Sequence, residues 1–229
     1  MRILILNPNS SETMTAAVAQ SLRGHSGRSE LTFATGPPEC PAEINGPQTA
    51  TQSVKGCWKL LGDRSSKLYH GNFDGIVIAC FSDHPLVEKL REAGGPPCCA
   101  LLPACVAHLT LLGRAPPFSI VTSSQEWVAP LDQSVLELCA PRSRDAWRGT
   151  VAAQLTPLQI GRDVVEQVAA TVRARNVREL GSRTVVLGCA GFSGVYKELQ
   201  ELLQGEALLV EPVQVAVACI ESAIGYGSV

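Results

Sequence analysis

The chain has 229 residues, of which 45% are hydrophobic and 17% are charged, and its formal net charge is −2. This length allows one large domain or two small ones with a substantial core. Scattered basic residues and an aromatic content of 5% argue against nucleic acid as a partner. No segment approaches the ~18 apolar residues of a membrane span. We therefore expect a protein that acts on a small molecule.

Continuous apolar segments bounded by Gly, Pro, Asn or Ser predict strands that are buried on both faces. In chain order, these strands are residues 2–6, 31–34, 75–79, 98–102, 118–122, 151–155, 184–188 and 207–210. Helical patterns lie between them, at residues 11–23, 49–62, 85–93, 105–112, 126–139, 161–176, 195–204 and 212–224. This alternation predicts an α/β fold with parallel sheet and helices on both sides.

Two parts of the chain repeat each other in form. The third and seventh predicted strands end at Cys80 and Cys189, and each cysteine precedes a turn of small or hydroxyl residues. The first and fifth predicted strands both end in hydroxyl-rich turns. This order predicts two similar half-molecules that face each other across a cleft. The Pro- and Gly-rich loop at 36–47 is a candidate wall or lid for that cleft.

The nine cysteines form no C-x-x-C pair and have no zinc-ligand spacing, so we expect no metal site. The apolar stretch at the N-terminus is too short for a signal peptide, because Asn7, Pro8 and Asn9 end it. An odd number of cysteines without a secretory signal predicts reduced thiols in a cytoplasmic protein. Cys98 and Cys99 lie within a predicted strand and are expected to be core residues.

Cys80 and Cys189 lie where a ligand would bind. In open α/β sheets, ligands bind beyond the carboxyl ends of the strands. A thiol at the start of a helix is close to unpaired backbone N–H groups and to the positive end of the helix dipole, and both favour the thiolate. Four backbone N–H groups after the two cysteines are candidates for holding a developing oxyanion: those of Phe81, Ser82, Ala190 and Gly191.

Two thiols on opposite walls of one cleft suit one type of reaction. One thiolate removes a proton from a carbon acid, and the other thiol returns a proton to the opposite face. The result is inversion of a stereocentre without a cofactor. Pyridoxal phosphate would need a Schiff-base lysine, and all five lysines fall at predicted exposed positions. We therefore expect no cofactor.

Five segments carry a resemblance to a known family. They are NPNSSETMT at 7–15, GIVIACFSD at 75–83, FSIVTSS at 118–124, VVLGCAGF at 185–192 and EPVQVAV at 211–217. In this order they resemble the hydantoin racemase family of the aspartate/glutamate racemase superfamily, which includes fungal allantoin-racemase-like proteins. The resemblance covers nearly the whole chain. Its most specific part is the two cysteine motifs together with the N-terminal N-P-N-[ST].

The resemblance implies a fold and a division of the chain. The fold would be two Rossmann-like parallel-sheet halves with pseudo-two-fold symmetry and an active site in the cleft between them. The first half would be residues 1–112, completed by a C-terminal helix at 211–229, and the second half residues 113–210. The family also implies a homo-oligomer.

The resemblance further implies cofactor-independent racemisation by Cys80 and Cys189. Substrate-binding positions of the family map onto the first and fifth strand ends: Asn9, Ser10 and Ser11, and Thr122 and Ser123. There are three departures around the pocket: Pro103 replaces an acidic residue, Glu211 replaces an aspartate, and the family's loop motif is reduced to residues 42–46. These departures leave the chemistry in place and the substrate open.

We therefore predict a racemase or epimerase that inverts the carbon between amide nitrogen and carbonyl in a 5-substituted hydantoin or in allantoin. An epimerase of another cyclic amide, such as a cyclic dipeptide, is a close alternative. An amino-acid racemase, a cis–trans isomerase and a decarboxylase of the same superfamily are further alternatives. A small-molecule binding protein without catalytic activity is the alternative from another class.

Five other residues near the predicted turns and helices have their own expected roles. Asp83 is expected to cap the helix that follows Cys80, with tuning of that thiol as its alternative role. His84 and His108 are expected at the surface. Trp127 and Tyr196 each follow a site turn, so pocket lining and core packing are equally compatible with their positions.

Overall fold

The computed structural model describes residues 1–27, 29–111 and 116–227. Within these residues, the strands form two four-stranded sheets in which every pairing is parallel. The first sheet contains β1 (Arg2–Asn7), β2 (Glu30–Thr35), β3 (Gly75–Ile78) and β4 (Cys98–Ala100), in the order β2-β1-β3-β4. The second contains β5 (Phe118–Thr122), β6 (Trp147–Ala152), β7 (Thr184–Leu187) and β8 (Leu208–Val210), in the order β6-β5-β7-β8.

Helices connect the strands. They are α1 (Glu12–Ser21), α2 (Pro47–Leu61), α3 (Leu86–Glu92), α4 (Leu101–Thr110), α5 (Val128–Leu138), α6 (Val165–Thr171), α7 (Tyr196–Leu202) and α8 (Pro212–Gly227). A π-helix, Val172–Glu179, continues α6. Short 3₁₀ helices include Gln125–Trp127, Pro157–Gln159 and Ala190–Val195. In the part of the chain that is described, no helix is long and apolar enough to cross a membrane.

The same strand order occurs in both sheets, which confirms the predicted fold class. In each sheet the first and third strands of that half lie side by side at the centre: β1 beside β3, and β5 beside β7. All residues of β3 and β7 are buried, which explains why these strands are continuous apolar runs. The predicted boundary at residues 112 and 113 lies outside the described residues and stays a prediction.

The C-terminal helix α8 follows the last strand of the second sheet but packs against the first. It contacts β3, β4 and α4. Gly75, at the start of β3, permits this close approach, because a Cβ there would lie 2.4 Å from Cγ2 of Ile220. Helix α8 thus stabilises the sheet on which the chain begins.

Two predicted elements begin elsewhere than expected. The strand predicted at 98–102 ends at Ala100, and α4 begins at Leu101 instead of residue 105. Pro103 is compatible with this start, because the N–H groups of the first helical turn have no partner within the helix. The strand β6 begins four residues earlier than the apolar run at 151–155, because it is a partly exposed edge strand with polar residues.

Candidate active site

One cavity lies between the two sheets, at the carboxyl ends of their central strands. The space between its lining atoms, including space open to solvent, is about 370 Å³. Six of the predicted site residues line it: Asn9, Cys80, Phe81, Ser123, Cys189 and Ala190. The equivalent strands β3 and β7 therefore bring the two cysteines to a common cavity.

Both thiols are largely buried, and Cys80 and Cys189 are each 8% exposed. Burial raises the pKa of Cys80 to about 12; its contact with Ser82 Oγ, 3.5 Å away, opposes that rise, and the nearby Cys189 adds to it. Burial raises the pKa of Cys189 to about 11, although the Gly191 N–H and the Ser123 hydroxyl lower it. The expected stabilisation of the thiolate by the turn is present at Cys189, but burial outweighs it. Both groups are therefore neutral thiols near pH 7.

Asn9 presents a fixed amide to the cavity. Its Oδ1 accepts hydrogen bonds from Asn7 Nδ2 (2.8 Å) and from the Ser11 N–H (2.9 Å). These two donors orient the amide, and its Nδ2 then points to the Met14 Sδ at 3.2 Å, a weak acceptor. Asn9 can thus donate an N–H to a carbonyl oxygen of a bound molecule.

Ser10 and Ser11 lie outside the cavity lining. The hydroxyl of Ser11 accepts from the Met14 N–H (3.3 Å) and caps α1. The backbone N–H of Ser10 donates to the Pro41 carbonyl (2.9 Å) and ties the first turn to the loop at 36–47. Both residues support the turn that carries Asn9.

Ser82, Thr122 and Gly191 also lie outside the lining but contact residues that form it. Ser82 lies beside the thiol of Cys80. The Thr122 hydroxyl donates to the Gly188 carbonyl (3.1 Å) and joins the ends of β5 and β7. Ser123, the next residue, faces the cavity, and its hydroxyl makes no hydrogen bond of normal geometry to the described part of the chain. That hydroxyl therefore faces both the Cys189 thiol and the cavity, and it can also contact a ligand.

The sequence did not identify all of the apolar residues that line the cavity. Met14, Ile44, Trp127 and Pro157 line the cavity. Ile44 belongs to the loop at 36–47, which was expected to form a wall. Pro157 is the first residue of a 3₁₀ helix of only three residues and had no sequence signal. Among the described residues that line the cavity, none has a charged side chain.

His84 is a correction to the sequence prediction, because it is 1% exposed instead of lying at the surface. Its Nδ1 accepts from the Leu86 N–H (3.2 Å), and its Nε2 lies 3.1 Å from Ser53 Oγ on α2. His84 therefore caps α3, the role expected for Asp83, whose side chain is exposed. The ring is covered because α2 packs over this turn, and burial lowers the pKa of His84 to about 4.

Glu211 is a second buried polar residue near the site, and it is 3% exposed. Its carboxylate accepts from the Ser193 hydroxyl (2.6 Å) and from the Gln214 N–H (2.8 Å). Glu211 thereby caps α8 and holds the 3₁₀ helix that follows Cys189. Burial raises its pKa, and these hydrogen bonds oppose that rise.

Tyr196 and His108 take no part in the cavity. Tyr196 is half-buried on α7 and lies away from the cavity lining. His108 is exposed on α4, as predicted. Of the two aromatic residues that follow a site turn, Trp127 lines the cavity and Tyr196 does not.

Comparison with known proteins places this geometry in a family. The family model described as Asp/Glu/Hydantoin racemase matches residues 3–220. Protein DCG1 of Saccharomyces cerevisiae is 36% identical over 91% of this chain and 89% of its own length. A hydantoin racemase of Rhizobium meliloti is 27% identical over 99% of this chain and 90% of its own length.

A solved structure shares the fold. The allantoin racemase from Klebsiella pneumoniae has a TM-score of 0.83 and 24% identity, and the match covers 99% of this chain and 89% of that one. The match of the family model to residues 3–220 confirms the resemblance that the five sequence segments carry. The chain belongs to the Asp/Glu/Hydantoin racemase family and is an isomerase.

Proposed function

We propose that this protein racemises a neutral cyclic amide, a 5-substituted hydantoin or allantoin, by proton transfer between Cys80 and Cys189. The observation that carries the proposal is the placement of two thiols in one cavity without a charged side chain among its described lining residues. The names of the relatives support the substrate class, because they include a hydantoin racemase and an allantoin racemase.

The reaction needs one thiolate and one thiol at the same time, so one of the two neutral thiols must first lose its proton to water. A negative charge on Cys189 raises the pKa of Cys80, so ionisation of one thiol opposes ionisation of the other. The thiolate takes the proton from the ring carbon, and the electrons of the C–H bond move into the adjacent carbonyl to form an enolate. The other thiol then protonates the opposite face. After one turnover the first cysteine is a thiol and the second is a thiolate, which is the protonation state needed for the other enantiomer.

The uncharged lining favours the binding of cyclic amides over the binding of free amino acids. A free amino acid would bring a carboxylate into a buried cavity where no described lining residue offers a positive charge, which is unfavourable. A cyclic amide is uncharged, and its N–H and C=O groups match the Ser123 hydroxyl and the Asn9 amide. The apolar residues Met14, Ile44 and Trp127 can cover the rest of the ring. A cyclic dipeptide has the same chemistry and belongs in the test as the second candidate.

The experiment follows racemisation in D₂O with four groups of compounds: 5-substituted hydantoins, allantoin, cyclic dipeptides and free amino acids. We expect the wild type to racemise a hydantoin or allantoin and to leave free amino acids unchanged. Cys80→Ser and Cys189→Ser should each lower the rate by about 10²–10⁴-fold, because each removes an acid–base group. Cys98→Ser, which removes a thiol of β4 outside the cavity, is the matched control and should retain the rate. Unimpaired racemisation in either active-site variant would contradict the proposal.

Two further parts of the proposal concern the setting of the enzyme. The nine cysteines are free thiols, which supports a reducing compartment, and we propose the cytoplasm. The family resemblance supports a homo-oligomer. Fractionation of cells and light scattering of the purified protein test these two points separately.

A further inference from the structure

The loop at 36–47 is fixed to the first half of the molecule at its start. The Gly36 N–H donates to the carbonyls of Asn7 (2.8 Å) and Asn9 (2.9 Å). The Pro41 carbonyl accepts from the Ser10 N–H (2.9 Å). The loop therefore begins as part of the same turn that carries Asn9 into the cavity.

A buried cysteine holds the middle of the loop against α2. Cys40 is 5% exposed, and its Sγ lies 3.5 Å from the Ser53 carbonyl and 3.7 Å from Cys57 Sγ. Gly56 leaves room for this thiol, because a Cβ at position 56 would lie 2.6 Å from it. The loop thus has a second fixed point on the first half.

The end of the loop is fixed as well. The N–H groups of Asn45 and Gly46 donate to Thr49 Oγ1, at 3.1 and 3.2 Å. These bonds join the loop to the first turn of α2. Between the two fixed regions remains a short tip, residues 42–44.

This tip reaches across the cleft to the second half. Glu43 Oε2 accepts from the Leu158 N–H at 3.2 Å. That N–H lies at the start of the 3₁₀ helix Pro157–Gln159, where backbone donors lack a partner within the helix. The neighbours of the two bonded residues, Ile44 and Pro157, both line the cavity. The bond therefore joins the two walls of the cleft directly beside the site.

We propose that Glu43 is the positioning residue that closes the cleft, by binding the Leu158 backbone and pressing Ile44 and Pro157 against a bound ring. As far as it concerns substrate, this inference rests on the proposed function. Moving the tip away from Leu158 breaks one charge-assisted hydrogen bond, while the two fixed regions of the loop stay in place. Closing it excludes water from the two thiols. The Glu43 carboxylate also lies close enough to raise the pKa of Cys189.

The first test needs no substrate. The rate at which iodoacetamide alkylates Cys80 in the free protein, measured by mass spectrometry, reports access to the cleft. Glu43→Ala should raise this rate about tenfold, because it removes a charge-assisted hydrogen bond from the closed state. Glu43→Gln keeps an acceptor oxygen and should raise the rate by less than about threefold. Cys80 is the better reporter, since Glu43 acts on the pKa of Cys189.

The matched control is Glu39→Ala. Glu39 lies in the same loop and forms an exposed ion pair with Lys59 (2.8 Å), so its removal changes the loop charge equally without touching the second half. The control should leave the Cys80 rate unchanged. A Cys80 rate in Glu43→Ala within twofold of the wild type would overturn the proposal, as would an equal increase in Glu39→Ala.

The second test uses a substrate identified for the wild type. Glu43→Ala should raise KM about tenfold and lower kcat by less than about threefold, because it weakens closure and leaves both thiols in place. An unchanged KM would overturn the role in substrate binding. If the wild type turns over no compound, the proposed function fails, while the alkylation test still decides whether Glu43 closes the cleft.

Discussion

The two cysteine turns follow equivalent strands but are held by different chemistry. After Cys80, a neutral histidine bonded to Ser53 fixes the turn to α2. After Cys189, the buried carboxyl of Glu211 fixes the next 3₁₀ helix to α8. The repeated topology thus places two thiols symmetrically, while unrelated contacts decide how rigidly each is held. The first turn is held by an uncharged base and the second by an acid. The contributions of these two groups to the free energy of unfolding should therefore change with pH in opposite directions.

The largest expected effect concerns His84. Burial lowers its pKa from 6.5 to about 4, so the unfolded chain takes up a proton below pH 6.5 while the folded protein does not. The free energy of unfolding should therefore fall as the pH falls from 6.5 to 4, by about 3 kcal/mol from this group. His84→Gln removes the titrating ring and should show less of this loss.

Urea unfolding at pH 7 and pH 4 measures this difference. The wild type should be the more stable protein at pH 7, and its advantage over His84→Gln should shrink by about 3 kcal/mol at pH 4. His108→Gln, at an exposed position on α4, is the control and should follow the wild type. An advantage that stays constant between the two pH values would show that His84 is not held neutral.

The next effect concerns Glu211. Glu211→Ala removes the acceptor of the Ser193 hydroxyl and the cap of α8, so it should lower the free energy of unfolding by about 2 kcal/mol at pH 7. Burial raises the pKa of Glu211. The folded state thus holds this proton more tightly than the unfolded chain, and stability from this group declines as the pH rises above 4.5, the ordinary glutamate value.

Urea unfolding at pH 7 also checks this second prediction. Glu201→Ala, at an exposed position of α7, should change the free energy of unfolding by less than about 0.5 kcal/mol. Alkylation should then distinguish the two turns: Glu211→Ala should change the rate at Cys189 and leave the rate at Cys80 unchanged. Equal changes at both thiols would show that Glu211 stabilises the protein without positioning one turn.

The smallest effect concerns the two hydroxyl groups beside the thiols. Ser82 lowers the pKa of Cys80, and Ser123 lowers that of Cys189. Ser82→Ala should slow alkylation of Cys80 at pH 8 about twofold and leave Cys189 unchanged, because a higher pKa leaves less thiolate. Ser123→Ala should slow alkylation of Cys189 about twofold and leave the rate at Cys80 unchanged. If either variant slowed both thiols equally, the two hydroxyls would not act locally.

The sequence was sufficient to predict the parts of the site that depend on strand ends. Cys80 and Cys189 were expected at one cleft because apolar runs end at each of them, and parallel strands end at one edge of a sheet. The structure places both there. Asn9 and Ser123 were expected through the resemblance, and both line the cavity.

Contacts between distant parts of the chain could not be predicted. His84 looked like a surface residue because its burial depends on α2, which begins 37 residues earlier in the chain. The contact of Glu43 with Leu158 spans 115 residues and has no periodic signal. The direction of the thiol pKa was also missed, because the sequence indicates a favourable turn but not the burial that outweighs it.

The position of deuterium in the early product tests the two-thiol account most directly. One enantiomer of an accepted hydantoin is converted to a few per cent in D₂O, and both enantiomers are separated and analysed by mass spectrometry. With separate thiols on opposite faces, the new enantiomer should carry one solvent deuterium while the remaining substrate keeps its protium. Protium retained in the product, or deuterium in the remaining substrate at the same rate, would show that a single group handles both faces and would contradict the account.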